Sequence, residues 1–231
     1  MFLAFFILYI FPALFVLKNP SRKNFLFYLL GISPLITSLF SLILLYFNIF
    51  NFWIVFFLNL FLFFAGILKL KRFNFSLKYI YFPLFLALIV FPLFLIQGEP
   101  FEGASDAGVY TSSALNILEK GRYWLEVEEH LPEELEKISI KETGYSFNWK
   151  EAFPGIIYIK EKFIPQFFPL YSIHLAIFYK IFGVKGLLFC NFWFYFLSLI
   201  FFYRLLNLFL PSFYSKLSLI LFSFNPGLIY F

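Results

Sequence analysis

Charge is what this sequence has least of. Of its 231 residues only 13% are Asp, Glu, Lys or Arg, against 62% hydrophobic and 26% aromatic. A domain facing water on all sides carries about 25% charged residues, so a soluble globule is excluded and a polytopic membrane protein remains. Acids are missing from most of the chain. All 13 fall within residues 97–165 together with 7 of the 18 basic residues, a balance of −6, and the rest holds 11 basic residues and no acid. Those cations sit in short loops at the ends of apolar runs, as the positive-inside rule requires, not on a basic face with room for phosphates. No nucleic-acid partner is expected. Cysteine is nearly absent as well: Cys190 lies inside an apolar run and reads as a small core residue, so no disulfide staples the polar segment. Phenylalanine, by contrast, is so abundant at 41 residues that single aromatic positions carry little information.

About 20 apolar residues of helix cross a hydrocarbon core of roughly 30 Å. Seven runs have that character, at residues 1–17, 25–47, 50–68, 79–96, 166–182, 186–206 and 214–231. The first has no basic n-region and no small-residue cleavage site, and its cations follow the apolar run, so it is read as a span and not as a signal peptide. The expected organisation is a three-span region over 1–78, a further span over 79–96, a loop domain over 97–165 and three more spans over 166–231. Loops 18–24 and 69–78 hold three and four basic residues and are assigned to the cytoplasm, with the uncharged tip Asn48 to Asn51 on the far side. The N-terminus and residues 97–165 then fall outside the plasma membrane. Lys180 and Lys185 return to the cytoplasm, whereas Arg204 and Lys216 would flank an outer loop against the rule.

Residues 97–165 have ordinary polar content, so chemistry is sought there. Ser105 and Asp106 are N-cap types before a stretch whose apolar positions Ala107, Tyr110, Ala114, Ile117 and Leu118 recur at helical spacing, and Gly121 is placed to stop it. That amphipathic helix is expected to lie on the membrane surface with its stripe down. An acidic patch from Glu126 to Glu136 reads as a solvated face. Ile156 to Ile159 and Phe163-Ile164 flank Lys160-Glu161-Lys162 as a small hairpin, and Pro165 and Pro169 mark re-entry. The fold class is therefore all-α, about seven transmembrane helices, with an extracytoplasmic α+β loop domain carrying a juxtamembrane helix.

The run EPFEGASDAGVYTSSALNILEKGRYW at 99–124, directly after a span, resembles the first outer loop of GT-C superfamily glycosyltransferases, where an acid opens a juxtamembrane helix. FIPQFFPLYSIHLAIFYKIFG at 163–183 resembles the re-entry segment of the same proteins, and LFSFNPGLIYF at 221–231 a later span. The chain is similar to bacterial and archaeal transferases related to protein mannosyltransferases and aminoarabinose transferases, and the likeness covers roughly residues 79–231. It implies transfer of a sugar from a polyprenyl-phosphate carrier to an acceptor on the outer face. The lipid-linked sugar is then a substrate, no separate cofactor is expected, and membrane lipid surrounds the chain. The position matching the family's acid is Asp106, as general base. Ala107 and Gly108 stand where many relatives carry a second acid, so no metal site is expected. The family continues beyond such a segment with more spans, which makes this chain read as an N-terminal portion, or as a subunit needing a second membrane protein.

Glu102 approaches Asp106 from the preceding turn, as a substrate contact or a solvated acid. Tyr110, Tyr171 and Trp124 would stack on a sugar or belong to an interfacial aromatic belt. His174, one turn into the fifth run, is an ionisable group at membrane depth and so a functional candidate, or a histidine bonded within the core. Arg122 fits a carrier phosphate or an ion pair with the nearby acids. Two other classes stay open: a non-catalytic partner of another membrane protein, and a transporter or flippase subunit, although no internal repeat is evident.

Overall fold

The structure, a computed structural model, describes residues 2–17, 25–69, 77, 79–95, 106–126, 156–159 and 162–225. It is mostly helical. In chain order the helices are α1 (Phe2–Tyr9), a 3₁₀ turn (Pro12–Phe15), α2 (Phe25–Tyr46), α3 (Phe52–Lys69), α4 (Tyr81–Leu95), α5 (Asp106–Lys120), α6 (Pro169–Phe182), α7 (Val184–Phe209) and α8 (Ser212–Ser223). Three of them, α2, α3 and α7, are long and apolar enough to cross a membrane; α4 is apolar but shorter. The 26 residues of α7 extend about 39 Å at 1.5 Å per residue.

The first expected span is not one helix. It breaks after Tyr9, before Pro12, whose ring supplies no N–H. The groups freed by the break find partners on α2. Ser33 Oγ accepts from the Ala13 N–H at 3.1 Å and donates to the Ile10 carbonyl at 2.7 Å, and the Thr37 hydroxyl donates to the Leu8 carbonyl. Neighbouring Ser and Thr side chains are what permit a broken helix at membrane depth. The 3₁₀ turn then runs against α3 so closely that a Cβ on Gly66 would stand 2.6 Å from Leu14 Cβ and 2.7 Å from the Phe15 nitrogen. These contacts order α1 antiparallel to α2: Leu8 meets Thr37, Ile10 meets Ser33, and Leu14 and Leu17 cluster with Phe25 and Leu29.

The main apolar core joins α1, α2, α3, α5, α6 and α7 around Tyr9, Ile173, Ile177, Phe178 and Ile200, and a second cluster joins α4, α7 and α8 around Ala87, Val90, Leu199 and Leu219. The α5 stripe meets protein instead of lying on a lipid surface. Ala114 and Ile117 are fully buried in the main core, with Tyr110 and Leu118 against it, because α6 packs along the whole helix. Gly121 ends α5 as expected, with φ +70 and its N–H on the Ile117 carbonyl, and its own carbonyl accepts from the Phe50 N–H at 3.2 Å, tying α5 to the α2–α3 tip. Three short antiparallel strands follow, β1 (Leu125–Glu126), β2 (Ile156–Ile159) and β3 (Lys162–Pro165), in the order β1-β3-β2. Ile159 pairs with Lys162, the register of the expected hairpin. The acidic patch 127–136 lies outside the described residues.

The direction of the last helices differs from the charge-based expectation. Arg204 stacks on Tyr79 at 4.7 Å and lies 5.7 Å from the Phe27 ring, and Lys216 lies 5.9 Å from the Phe82 ring. That is the end of the bundle where α2 and α4 begin and where Lys69 lies over Phe15. Phe182, at the end of α6, packs instead on Phe2 and Phe5, toward the opposite end. The fifth apolar run therefore does not carry the chain to the basic end; α7 does. Stacking of the Arg204 guanidinium on a tyrosine, which a residue count does not register, accompanies this placement.

Candidate functional site

A chamber of about 800 Å³ lies between α2, α5, α6 and α7. Its position follows from local sequence. Pro169 at the start of α6, with the fixed φ suited to a first helical turn, lets the chain turn from β3 into helix beside α5. Tyr110 on α5 stacks on Phe167 with ring centroids 4.8 Å apart and meets Tyr171 edge-on at 5.0 Å. The Tyr171 hydroxyl donates to Asn191 Oδ1 on α7. Below this aromatic wall His174 reaches the chamber from α6 and is 4% exposed.

The tautomer of His174 is assigned from its hydrogen bonds. Ser38 Oγ donates its proton to the Pro34 carbonyl at 2.7 Å, so the 2.9 Å contact to His174 Nε2 needs the proton on that nitrogen. Nδ1 then accepts from the Tyr9 hydroxyl at 2.8 Å. Three helices thus meet at one imidazole through a directed chain from Tyr9 through His174 and Ser38 to Pro34. Thr37 and Asn59 extend the polar seam: Asn59 Oδ1 lies 3.3 Å from the Thr37 hydroxyl oxygen, whose proton goes to Leu8, and Asn59 Nδ2 donates to the Val55 carbonyl at 2.8 Å.

Of the residues singled out in the sequence, Tyr110, Tyr171 and His174 come together as walls of this chamber. Asp106 is the first residue of α5, one turn before Tyr110, and its side chain lies outside the described part of the structure. Glu102 also lies outside the described residues. Arg122 is not a chamber wall. It is half-buried after α5, where Asn116 Nδ2 donates to the carbonyls of Arg122 at 2.7 Å and Trp124 at 2.8 Å. Lys162 covers the Trp124 ring at 4.5 Å. The neighbouring Tyr123 donates its hydroxyl to the Phe167 carbonyl. Burial first, and Tyr110 second, push its phenol up to about 12 against a small opposing bond from Ser113, so it stays a donor at neutral pH.

Ser38, Tyr9 and Ser198 were not singled out, although all three build or line the site. The available signal was the clustering of Ser33, Thr37, Ser38 and Ser41 inside an otherwise apolar run, a pattern that marks helix contacts in membranes. Among the described residues no group of three or more His, Cys, Asp or Glu converges. No family model, curated protein or solved structure matches the chain.

Proposed function

We propose that the chain is a GT-C type glycosyltransferase, moving a sugar from a polyprenyl-phosphate carrier to an acceptor at the outer face of the plasma membrane. One observation carries this reading: a helix headed by Asp106 packs along the Pro169-led α6, so that Tyr110, one turn from Asp106, shares a chamber with Tyr171 and His174. The end of the bundle holding Lys69, Arg204 and Lys216, next to loops 18–24 and 69–78, is the cytoplasmic end under this reading. The opposite end, where Gly121 bonds Phe50, is the outer one, and segment 97–165 is its α+β loop domain. All seven apolar runs then lie in the membrane, with α6 ending toward the outer side and α7 crossing back to the cytoplasmic end.

Asp106 is the base. As the acceptor oxygen or nitrogen attacks C1 of the sugar, its proton passes to the carboxylate, the bond from C1 to the carrier phosphate breaks, and the phosphate leaves with the electron pair and needs no proton. The configuration at C1 inverts. The N-terminal end of α5 favours the ionised carboxylate by about 0.3 to 1 kcal/mol. In membranes supplied with a radiolabelled polyprenyl-phosphate sugar, Asp106→Asn is expected to abolish transfer while insertion and melting temperature are retained. Transfer by that variant at the parental rate removes Asp106 from the mechanism.

A further inference from the structure

The chamber is free of charge: among its described walls there is no Asp, Glu, Lys or Arg. An ionised phosphate or carboxylate placed there would lose its hydration without a cation to replace it. Around His174 the polar groups it presents are acceptors, and Gln166 adds a neutral amide that can both donate and accept. Ser38 Oγ gives its only proton to the Pro34 carbonyl and takes one from His174, which leaves a lone pair. His174 has both ring nitrogens engaged. Ser198 Oγ likewise gives its proton to the Phe194 carbonyl at 2.9 Å. The Leu30 carbonyl, which a regular helix would pair with the N–H of residue 34, faces a proline there. Acceptors at Ser38 and Ser198, with no cation among the described walls, favour a neutral donor at that end of the chamber, and an alcohol O–H is the simplest.

The mouth is apolar. Phe201 stands between α7 and α2 with its Cζ 2.9 Å from where a Cβ on Gly31 would be, and Leu35 beside it is 67% exposed. At about 800 Å³ the space falls within the range of roughly 300 to 1,000 Å³ typical of ligand sites. We infer that the chamber binds an uncharged lipid bearing a hydroxyl group, the hydroxyl donating to the Ser38 oxygen and the hydrocarbon chain leaving past Gly31 and Phe201 between α2 and α7. This goes beyond the transfer reading and does not rest on it: the phosphate of a carrier belongs outside the chamber.

The test uses the full chain in phospholipid nanodiscs with three photoactivatable probes of equal chain length: a long-chain alcohol, its phosphate monoester and the plain alkane. The alcohol is expected to label peptides of α2 around Ser38 and of α7 around Ser198, to be displaced by unlabelled alcohol, and to exceed both comparators by about tenfold, the scale of one hydrogen bond in a dry site. Ser38→Ala should lower alcohol labelling to the alkane level. Should that variant fail to accumulate, Gly31→Leu, which meets only the flexible end of Phe201, should block labelling by filling the mouth. Equal or stronger labelling by the phosphate, labelling by the alkane as strong as by the alcohol, or labelling unaffected by Gly31→Leu overturns the inference. Transfer activity is not read in this assay, so its failure leaves the role of Asp106 to its own test.

Discussion

His174 is held by hydroxyls from two other helices, so its replacement disturbs three elements together. In His174→Phe the Tyr9 hydroxyl loses its acceptor and Ser38 its incoming proton, both in a buried setting. Stranded polar groups of this kind cost about 1 to 3 kcal/mol, and a lowered melting temperature in detergent is the expected readout. Tyr9→Phe removes one hydroxyl and leaves only Nδ1 unpaired, so it should cost less, about 1 kcal/mol. If Tyr9→Phe destabilises more than His174→Phe, the directed chain of bonds is wrong. The histidine itself was legible in the sequence, as an ionisable residue in an apolar run. Its partners were not, because they lie 165 and 136 residues away and nothing local announces them. Arg122 was legible as a cation just past the outer helix, whereas the bond from Asn116 to its backbone carbonyl, which closes the turn after α5, was not.

Helix ends and crossings are governed here by close backbone approach, and glycine substitutions rank accordingly. Gly186 sits in α7, where Ala would ordinarily be favoured by about 0.5 to 1 kcal/mol. A Cβ there would stand 2.2 Å from the Phe178 carbonyl oxygen, which is backbone and cannot swing away. Gly186→Ala should therefore force α6 and α7 apart and be the most damaging of the series. Gly121→Ala combines a φ of +70 with a carbonyl oxygen 2.9 Å away and comes next. Gly183→Ala meets open space, but φ +67 with ψ −153 is backbone essentially confined to glycine, so it bears a conformational penalty of about 1 to 3 kcal/mol and no clash. Thermal melting of the three variants checks the order, and Gly183→Ala proving the worst would contradict it. The boundaries of α2 and α3 and the stop at Gly121 were readable because uninterrupted apolar runs and a turn glycine carry them. The break in the first run was not, since the apolar pattern continues through Ile10 and Phe11 while the partners that stabilise the break, Ser33 and Thr37, belong to another helix.

At the scale of the whole molecule the two available arguments for direction disagree, which makes the arrangement testable. Counting cations in loops sends Lys185 to the side of Lys69 and the α7–α8 turn to the other. The packing reverses both: Arg204 and Lys216 lie with the beginnings of α2 and α4, and Phe182 lies with Phe2. Charge counting is weak at this point because it must choose between two pairs of cations, and it does not register that Arg204 stacks on aromatic rings within the bundle. Single cysteines at Lys69, Lys185 and Ser212, all exposed positions, separate the alternatives in a Cys190→Ala background. With a thiol reagent that cannot cross the membrane, applied to sealed right-side-out vesicles, Lys185→Cys is expected to react, while Lys69→Cys and Ser212→Cys react only after permeabilisation. Reaction of Ser212→Cys in sealed vesicles, with Lys185→Cys protected, would restore the charge-based direction.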